Sequence, residues 1–310
     1  MNKVPKIKVF GVGGAGCYII DKAIEREIST AEYFVVDDDY GRLQISKCKN
    51  KIQLVGGDHA GADYDYAQRT ALANKSKIID AVQGSDMIVL IAGMGGGIGS
   101  AVLPILAEVA KENNTVCVAV VCTPFSFEGE KRLNNAETGV KALRENANMT
   151  LVIPSENAIS CLPDDAPKSD AVKLADEMVL DALKTIIVPI TMPAIINLEY
   201  EDIVFAFKES KNTFFGMGIG KGKEKCIDAV RYAINCPMAS TTIDYATKIL
   251  LYVEGGDDFT MDDMQEVATY VKAVADSKVD IFFAADVDSN LTGELKVSIL
   301  AVKNVGEGVQ

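Results

Sequence analysis

The sequence predicts an α/β protein in which a parallel sheet, covered by helices on both faces, is joined through a long central helix to a smaller α+β domain. Three observations predict it. Short apolar runs alternate with helical patterns through the first half of the chain, and that alternation implies right-handed crossovers and a parallel sheet. Two of the runs end in glycine-rich loops that open helices, GVGGAG at 11–16 and GMGGGIGS at 93–100. Beyond a long apolar-striped segment at 170–187 the rhythm changes to strand, helix, strand, strand.

The elements follow in order. Residues 7–12 form an apolar run ending in glycines, with helical character over 17–27. The next run, 33–36, is closed by Asp37, Asp38 and Asp39. A helix is expected over 67–82, a strand over 87–92 and a helix over 101–112. The β-branched run 116–122 ends at Thr123-Pro124, and a helix at 133–146 and a strand at 150–154 complete the series. After the helix at 170–187 come a strand at 248–253, a helix at 261–275 and strands at 279–287 and 294–302. No internal repeat, low-complexity tract or flexible linker interrupts the chain.

Composition bounds the function. Of 310 residues 48% are hydrophobic, enough for a full core, and 44 acids against 31 bases leave a formal charge of -13. So acidic a surface repels nucleic-acid phosphates and anionic lipid headgroups, so neither nucleic acid nor direct membrane contact is expected. The 7 cysteines are odd in number and lack Cys-x-x-Cys spacing, as reduced thiols of a cytoplasmic protein would. The start enters a strand at once, leaving no room for a signal peptide. Residues 87–107 carry no charge, but glycines crowd the middle and Pro104 follows; strand, tight loop and buried helix fit better than a membrane span. The single histidine, His59, reads as a surface residue and makes a Ser-His-Asp hydrolase or multi-histidine metal centre hard to build.

The first glycine loop is a full G-x-G-x-x-G match between a strand and a helix. Glycines let backbone approach a phosphate, and a helix N-terminus offers unpaired amides and partial positive charge. Asp37 lies about 20 residues on, where a dinucleotide fold places its ribose acid. That end alone fits an NAD-dependent oxidoreductase. The second loop changes the balance: two parallel strands ending in glycine loops put both on one sheet edge, and two loops gripping one polyphosphate suit a nucleoside triphosphate. Ser100 could offer its hydroxyl to a phosphate or to a magnesium ion's water shell. No G-x-x-x-x-G-K-[ST] occurs and neither loop holds a lysine. These features define a Rossmann-like nucleotide-binding domain over 1–168, a central helix over 169–188 and an α+β domain over 189–310.

The loop GMGGGIGSA resembles the tubulin/FtsZ signature GGGTGTG, or GGGTGSG in tubulins. TPFSFEGEKR at 123–132 looks like the family's TPFxFEGxKR, and IINLEYED at 195–202 resembles its INLDFAD loop. The order and spacing are those of bacterial FtsZ, over about residues 7 to 300. The resemblance implies a self-polymerising cytoskeletal GTPase that binds GTP or GDP with a magnesium ion and stacks head to tail with copies of itself. By position, Gly13, Gly14 and Gly16 fall on the first phosphate loop. AGAD at 60–63, with Gly61 and Ala62, falls near the terminal phosphate. Gly95, Gly96, Gly97, Gly99 and Ser100 fall on the loop that wraps the phosphates. Glu128 and Arg132 match sugar- and phosphate-side contacts, and Asp176 the aspartate that reads the guanine edge. Asn197, Glu199 and Asp202 fall on the loop that reaches the next subunit's nucleotide and positions the attacking water.

The departures are specific. Tyr18 stands where the family has asparagine, Ile98 where it has threonine, and Ala101 at the final glycine of the signature. Ser155 replaces the guanine-side asparagine and Val172 the phenylalanine that stacks on the base. Asp37-Asp38-Asp39 replaces Asn-Thr-Asp; two extra carboxylates near a polyphosphate weaken binding unless a cation compensates. Glu199 is one methylene longer than the family's aspartate. The family's C-terminal tail is expected to be absent. A second reading is therefore a structural FtsZ-like filament protein with weak or absent nucleotide binding and hydrolysis.

Overall fold

The computed structural model describes residues 5–56, 61–207, 210–244, 246–275 and 279–304. They divide into two units, Met1–Leu180 and Asp181–Gln310.

In the first unit the apolar runs become strands and the segments between them helices. The order is β1 (Ile7–Val12), α1 (Gly13–Glu25), β2 (Glu32–Asp37), α2 (Tyr40–Ile45), β3 (Asn50–Gln53), α3 (Tyr64–Ala73) and α4 (Lys75–Val82). Then come β4 (Met87–Gly93), α5 (Gly97–Glu112), β5 (Val116–Thr123), α6 (Glu130–Asn146), β6 (Met149–Pro154), α7 (Asn157–Ser160) and α8 (Lys168–Thr191), which runs on past Leu180. Six strands lie parallel in the order β3-β2-β1-β4-β5-β6. β4 is buried at every position but its last, as a central parallel strand covered on both faces must be. Phe10, Val12, Ile88 and Leu90 of the sheet share one buried cluster with Val102, Leu103 and Leu106 of α5. Each such side chain contributes about 1.5–3 kcal/mol relative to exposure. α5 is buried on nearly all sides, which accounts for the uncharged stretch at 87–107. Among the described residues no helix is long and apolar enough to cross a membrane.

Two local differences from the sequence pattern have physical causes. α1 and α5 start four residues earlier than the apolar periodicity indicates, because the loop glycines are themselves the first turns. The helix expected over 67–82 is two helices, broken at Asn74. The buried Asn74 amide donates to the carbonyls of Val55 at 2.8 Å and Thr70 at 2.9 Å, and its oxygen accepts from the Val55 N–H at 3.3 Å. An asparagine that satisfies neighbouring backbone in this way competes with the helix itself.

The second unit holds α9 (Tyr200–Phe207), β7 (Ser210–Lys221), α10 (Lys225–Ile234), β8 (Lys248–Gly255), α11 (Met261–Val274), β9 (Asp280–Val287) and β10 (Glu294–Asn304). Its smaller sheet runs β7-β10-β8-β9, with β10 antiparallel to both β7 and β8, and β9 parallel to β8. The pattern does not foretell β7 and α10, because Gly216, Gly218 and Gly220 weaken the strand signal. Those glycines share one face of β7. A Cβ on them would collide with the backbone of Ala233, Ala229 and Lys225 respectively, so α10 rests directly on the strand.

Candidate functional site

β1 and β4 are paired neighbours, with Val12 opposite Ala92. Each therefore delivers its glycine segment to the same sheet edge. α1 starts at Gly13, whose φ of +72° lies in the left-handed region that glycine enters without penalty. A Cβ there would stand 3.2 Å from the amide nitrogen of Gly99 in the first turn of α5. The two helix N-termini thus meet side by side. Neither has a side-chain cap or an acid in its first turn, and first-turn amides have no intrahelical acceptor. Both dipoles present their positive ends to one place, an arrangement that suits an anion.

That place is a cavity of about 580 Å³, within the ~300–1,000 Å³ typical of small-molecule sites. Gly13, Gly14 and Ala15 line it from α1, and Gly96, Ile98 and Gly99 from the α5 turn. Asp38, Asp39 and Arg42 line it beyond β2, Phe127, Glu128 and Arg132 beyond β5, Ser155 beyond β6, and Val172, Ala175 and Asp176 from α8. Tyr18 is not among the lining residues. Ile98 contributes to the wall without closing the space.

The segment after β5 is self-braced. Glu128 accepts from the Phe125 N–H at 2.9 Å and from Arg132 Nη1 at 2.6 Å. Gly129 turns at φ +97°. Phe127 stacks on Phe125 with centroids 5.1 Å apart, and the Lys168 ammonium sits 4.5 Å from the Phe127 centroid. A half-exposed aromatic ring therefore stands in the wall although residue 172 is valine.

Burial shapes the acids. The Asp176 carboxyl is pushed up to about 6 by desolvation, with the Glu177 charge adding to it. The Cys122 thiol beside it is pushed up to about 12, mainly by burial and next by the Asp176 charge, so it stays a neutral thiol. Asp37 is fully buried. It accepts from the Asp39 N–H at 2.9 Å and from Arg42 Nη1 at 2.8 Å. Burial raises its pKa while those bonds pull it down.

Of the residues singled out from sequence, the cavity brings together Gly13, Gly14, Gly61, Gly96, Gly99, Glu128, Arg132, Ser155 and Asp176. Others stand behind it. Gly16 packs α1 on the sheet: a Cβ there would lie 2.5 Å from the Ile91 carbonyl. Ser100 is fully buried, and its hydroxyl accepts from the Gly95 N–H at 2.7 Å instead of facing the cavity. The Gly97 N–H is spent on the Gly61 carbonyl at 2.8 Å. Ala62 and Gly95 also lie off the lining; both carbonyls accept from the Asn135 amide, at 3.0 and 3.1 Å. His59 and Ala60 lie outside the described residues.

Asn197, Glu199 and Asp202 belong to the second unit and do not line the cavity. Their loop is pinned at alternate positions. Ile196 exchanges both backbone bonds with Ala285, at 3.1 and 3.0 Å, and the Leu198 N–H donates to Pro189 at 3.0 Å. Asn197 and Glu199 between and beyond those anchors are exposed. Asp202 Oδ2 accepts from the Glu199 N–H at 3.0 Å, reaching back across the start of α9 as a capping acid does.

Sequence reasoning missed three residues: Arg42, Asn135 and Phe127. Only Phe127 had a signal, since it lies inside the FEG motif. Among the described residues no group of three or more His, Cys, Asp or Glu is placed to hold a metal ion.

A parallel α/β sheet whose two glycine turns open on one cavity at the strand carboxyl ends defines the ligand-binding class of open α/β proteins. Residues 6–162 match the model of the Tubulin/FtsZ family GTPase domain, and 212–304 that of the FtsZ family C-terminal domain; the chain belongs to the Tubulin/FtsZ family. Among solved structures it is similar to the empty FtsZ dimer of M. jannaschii, at 29% identity over 100% of this chain and 95% of that one, with a TM-score of 0.92. The W319Y mutant of that FtsZ matches at 30% identity over 97% and 91%, with a TM-score of 0.91. CetZ2 from Haloferax volcanii, a GTPγS-bound protofilament, shares the fold at 16% identity over 98% and 94%, with a TM-score of 0.77.

Proposed function

We propose that the chain is a GTP-binding, self-polymerising GTPase whose hydrolytic site is completed by the next subunit in a head-to-tail filament. The observation that carries this is the meeting of two uncapped glycine helix starts on one cavity that also holds the desolvated Asp176. In this reading 1–168 is the nucleotide-binding domain, 169–188 the central helix and 189–310 the activation domain.

The amides of Gly13, Gly14, Ala15, Ile98 and Gly99 receive the phosphate chain. Ionised Asp176 accepts from the N–H donors of the guanine edge, with Ser155 beside it. The exposed part of the Phe127 ring offers an apolar contact to the base. Asp202 and Glu199 of the next subunit orient water in line with the terminal phosphoryl group, and Asn197 completes that loop. The fixed amide dipoles meet the charge that spreads over the phosphoryl oxygens. Magnesium takes hard oxygen donors, commonly one or two carboxylates with phosphate; Asp38 and Asp39 are the carboxylates that fit it, and it would neutralise phosphate charge.

Neither half-site suffices alone, so phosphate release per subunit rises steeply with protein concentration. A rate that stays flat over a hundredfold dilution overturns the in-trans scheme. Thermal shifts with GTP, ATP and NAD test the ligand, since only a ligand of the folded state raises the melting point. The structural-filament reading is favoured by Ile98 and Val172, which remove a hydroxyl and an aromatic face from the wall. Filaments by electron microscopy without phosphate release would establish it.

A further inference from the structure

We propose that Arg42 is a polyphosphate-binding residue of this cavity, a cation supplied by α2 to glycine turns that contain no lysine. The inference rests on the nucleotide reading above and deepens it.

The argument begins with charge. The lining carries four carboxylates, Asp38, Asp39, Glu128 and Asp176, and two cations, Arg42 and Arg132. A phosphate chain entering an acid-rich wall needs a cation that can turn toward it. Arg132 is engaged at 2.6 Å by Glu128. Arg42, like Arg132, is held at one guanidinium nitrogen, but it is Arg42 that lies over the α1 glycine turn: its Nη1 donates to Asp37 at 2.8 Å, whereas Nη2 stands 3.9 Å from Asp39, beyond hydrogen-bond reach. A guanidinium has five N–H donors in a rigid fork, so donors remain for a phosphate.

Position supports the same conclusion. The guanidinium lies over Gly14 in the first turn of α1; a Cβ on Gly14 would be 3.1 Å from Cζ and 3.2 Å from Nη1. Gly14 therefore makes room for Arg42 as well as for a phosphate. Asp37 is the anchor. A buried carboxylate must be paired, and this one is fully buried, fixed by the Asp39 N–H and closed by Arg42. The acid row that would repel polyphosphate thus has one member turned inward to position a cation. Asp37 is a positioning residue; Arg42 makes the contact.

The test uses the full chain and titration calorimetry with three probes: GTP, guanosine and inorganic tripolyphosphate. Arg42→Gln is expected to weaken GTP and tripolyphosphate about 10- to 100-fold while leaving guanosine within about twofold. Arg42→Lys recovers part of the loss, because it restores charge without the fork. Unchanged GTP affinity in Arg42→Gln, or an equal loss for guanosine, overturns the proposal. The single variant leaves Asp37 buried and unpaired, so the double variant Asp37→Asn/Arg42→Gln removes that charge and must show the same phosphate-specific loss. If the wild-type chain binds none of the probes, the nucleotide reading itself fails. If it binds GTP and only the variants disagree, Arg42 alone is ruled out.

Discussion

The side-chain amide of Asn135 donates to the Gly95 carbonyl at 3.1 Å. The same nitrogen donates to the Ala62 carbonyl at 3.0 Å, so one α6 side chain holds two loops that reach the cavity from different directions. The Gly97 N–H, bonded to Gly61 at 2.8 Å, reinforces that link. This wall of the cavity is therefore clamped from behind by Asn135, which does not line the cavity.

Removing the clamp is the first test. Asn135→Ala leaves two carbonyls short of a donor and is expected to cost about 1–2 kcal/mol of stability. GTP affinity falls as well, because the loops lose their fixed spacing. Asn135→Asp, which presents acceptors to acceptors, is expected to be worse than alanine in both. Urea denaturation and calorimetry on the same samples check this. A normal affinity in either variant would show that the loops hold their places unaided.

Asp176 gives two opposite pH dependences. Its carboxyl lies at about 6 in the free protein, above the ordinary 3.8, because burial penalises the charge. Only the ionised form accepts two N–H donors, so GTP affinity is level above pH 7 and falls as pH drops through about 6. The unliganded fold behaves the other way. The folded chain binds more protons than the unfolded chain between about pH 4 and 6, so the group costs stability above that window and the cost fades on acidification. Asp176→Asn is thus expected to raise the melting temperature at pH 8, to lose that advantage near pH 4, and to bind GTP weakly at every pH. An affinity profile that keeps its acid limb in Asp176→Asn would assign the titration elsewhere.

How far the sequence reached is visible at particular residues. The strands and glycine turns of the first unit are legible because burial on both faces demands continuous apolar runs and close approach demands glycine. Which side of the loop each glycine serves is not legible: Gly13 and Gly16 are both fixed positions of the motif, yet one faces the cavity and the other packs on Ile91. Ser100 reads as a phosphate ligand, but a hydroxyl serves equally well to hold the Gly95 amide. Arg42 is not legible because its role depends on the burial of Asp37 five residues before it and on the approach of its guanidinium to Gly14 in a different helix, neither of which the sequence shows. β7 is hidden because its glycines obey the demands of α10, a helix later in the chain.

Those glycines supply a stability test remote from the cavity. A Cβ on Gly218 would lie 2.5 Å from the Ala233 nitrogen and collide with the Ala229 carbonyl, both helix backbone that cannot yield locally. Gly218→Ala is therefore expected to push α10 off β7 and to lower stability by about 1–3 kcal/mol, although alanine is the better strand former in isolation. Gly222, at φ +70° with open space around it, is the contrast: Gly222→Ala suffers only backbone strain, about 1 kcal/mol. Equal effects at the two positions in chemical denaturation would mean that α10 is not seated as described.

Asp202 is assigned two duties that an alanine cannot separate. Its carboxylate accepts the Glu199 N–H at 3.0 Å and so caps α9, and it is proposed to orient water on the next subunit's nucleotide. Asp202→Ala removes both and is expected to lose about 1 kcal/mol of stability along with turnover. Asp202→Asn keeps an oxygen acceptor for the cap but lacks the negative charge. It should retain the wild-type melting temperature, GTP affinity and filament formation while phosphate release falls by about 100-fold or more. Mixing it with a variant that cannot bind nucleotide, Gly96→Arg, sharpens the test. Each parent lacks one half of a composite site, and a mixed filament rebuilds complete sites wherever a Gly96→Arg subunit's loop meets an Asp202→Asn subunit's nucleotide. Recovery of phosphate release on mixing follows from a site shared between subunits. Two inactive parents that stay inactive together while co-assembling would place hydrolysis within a single chain.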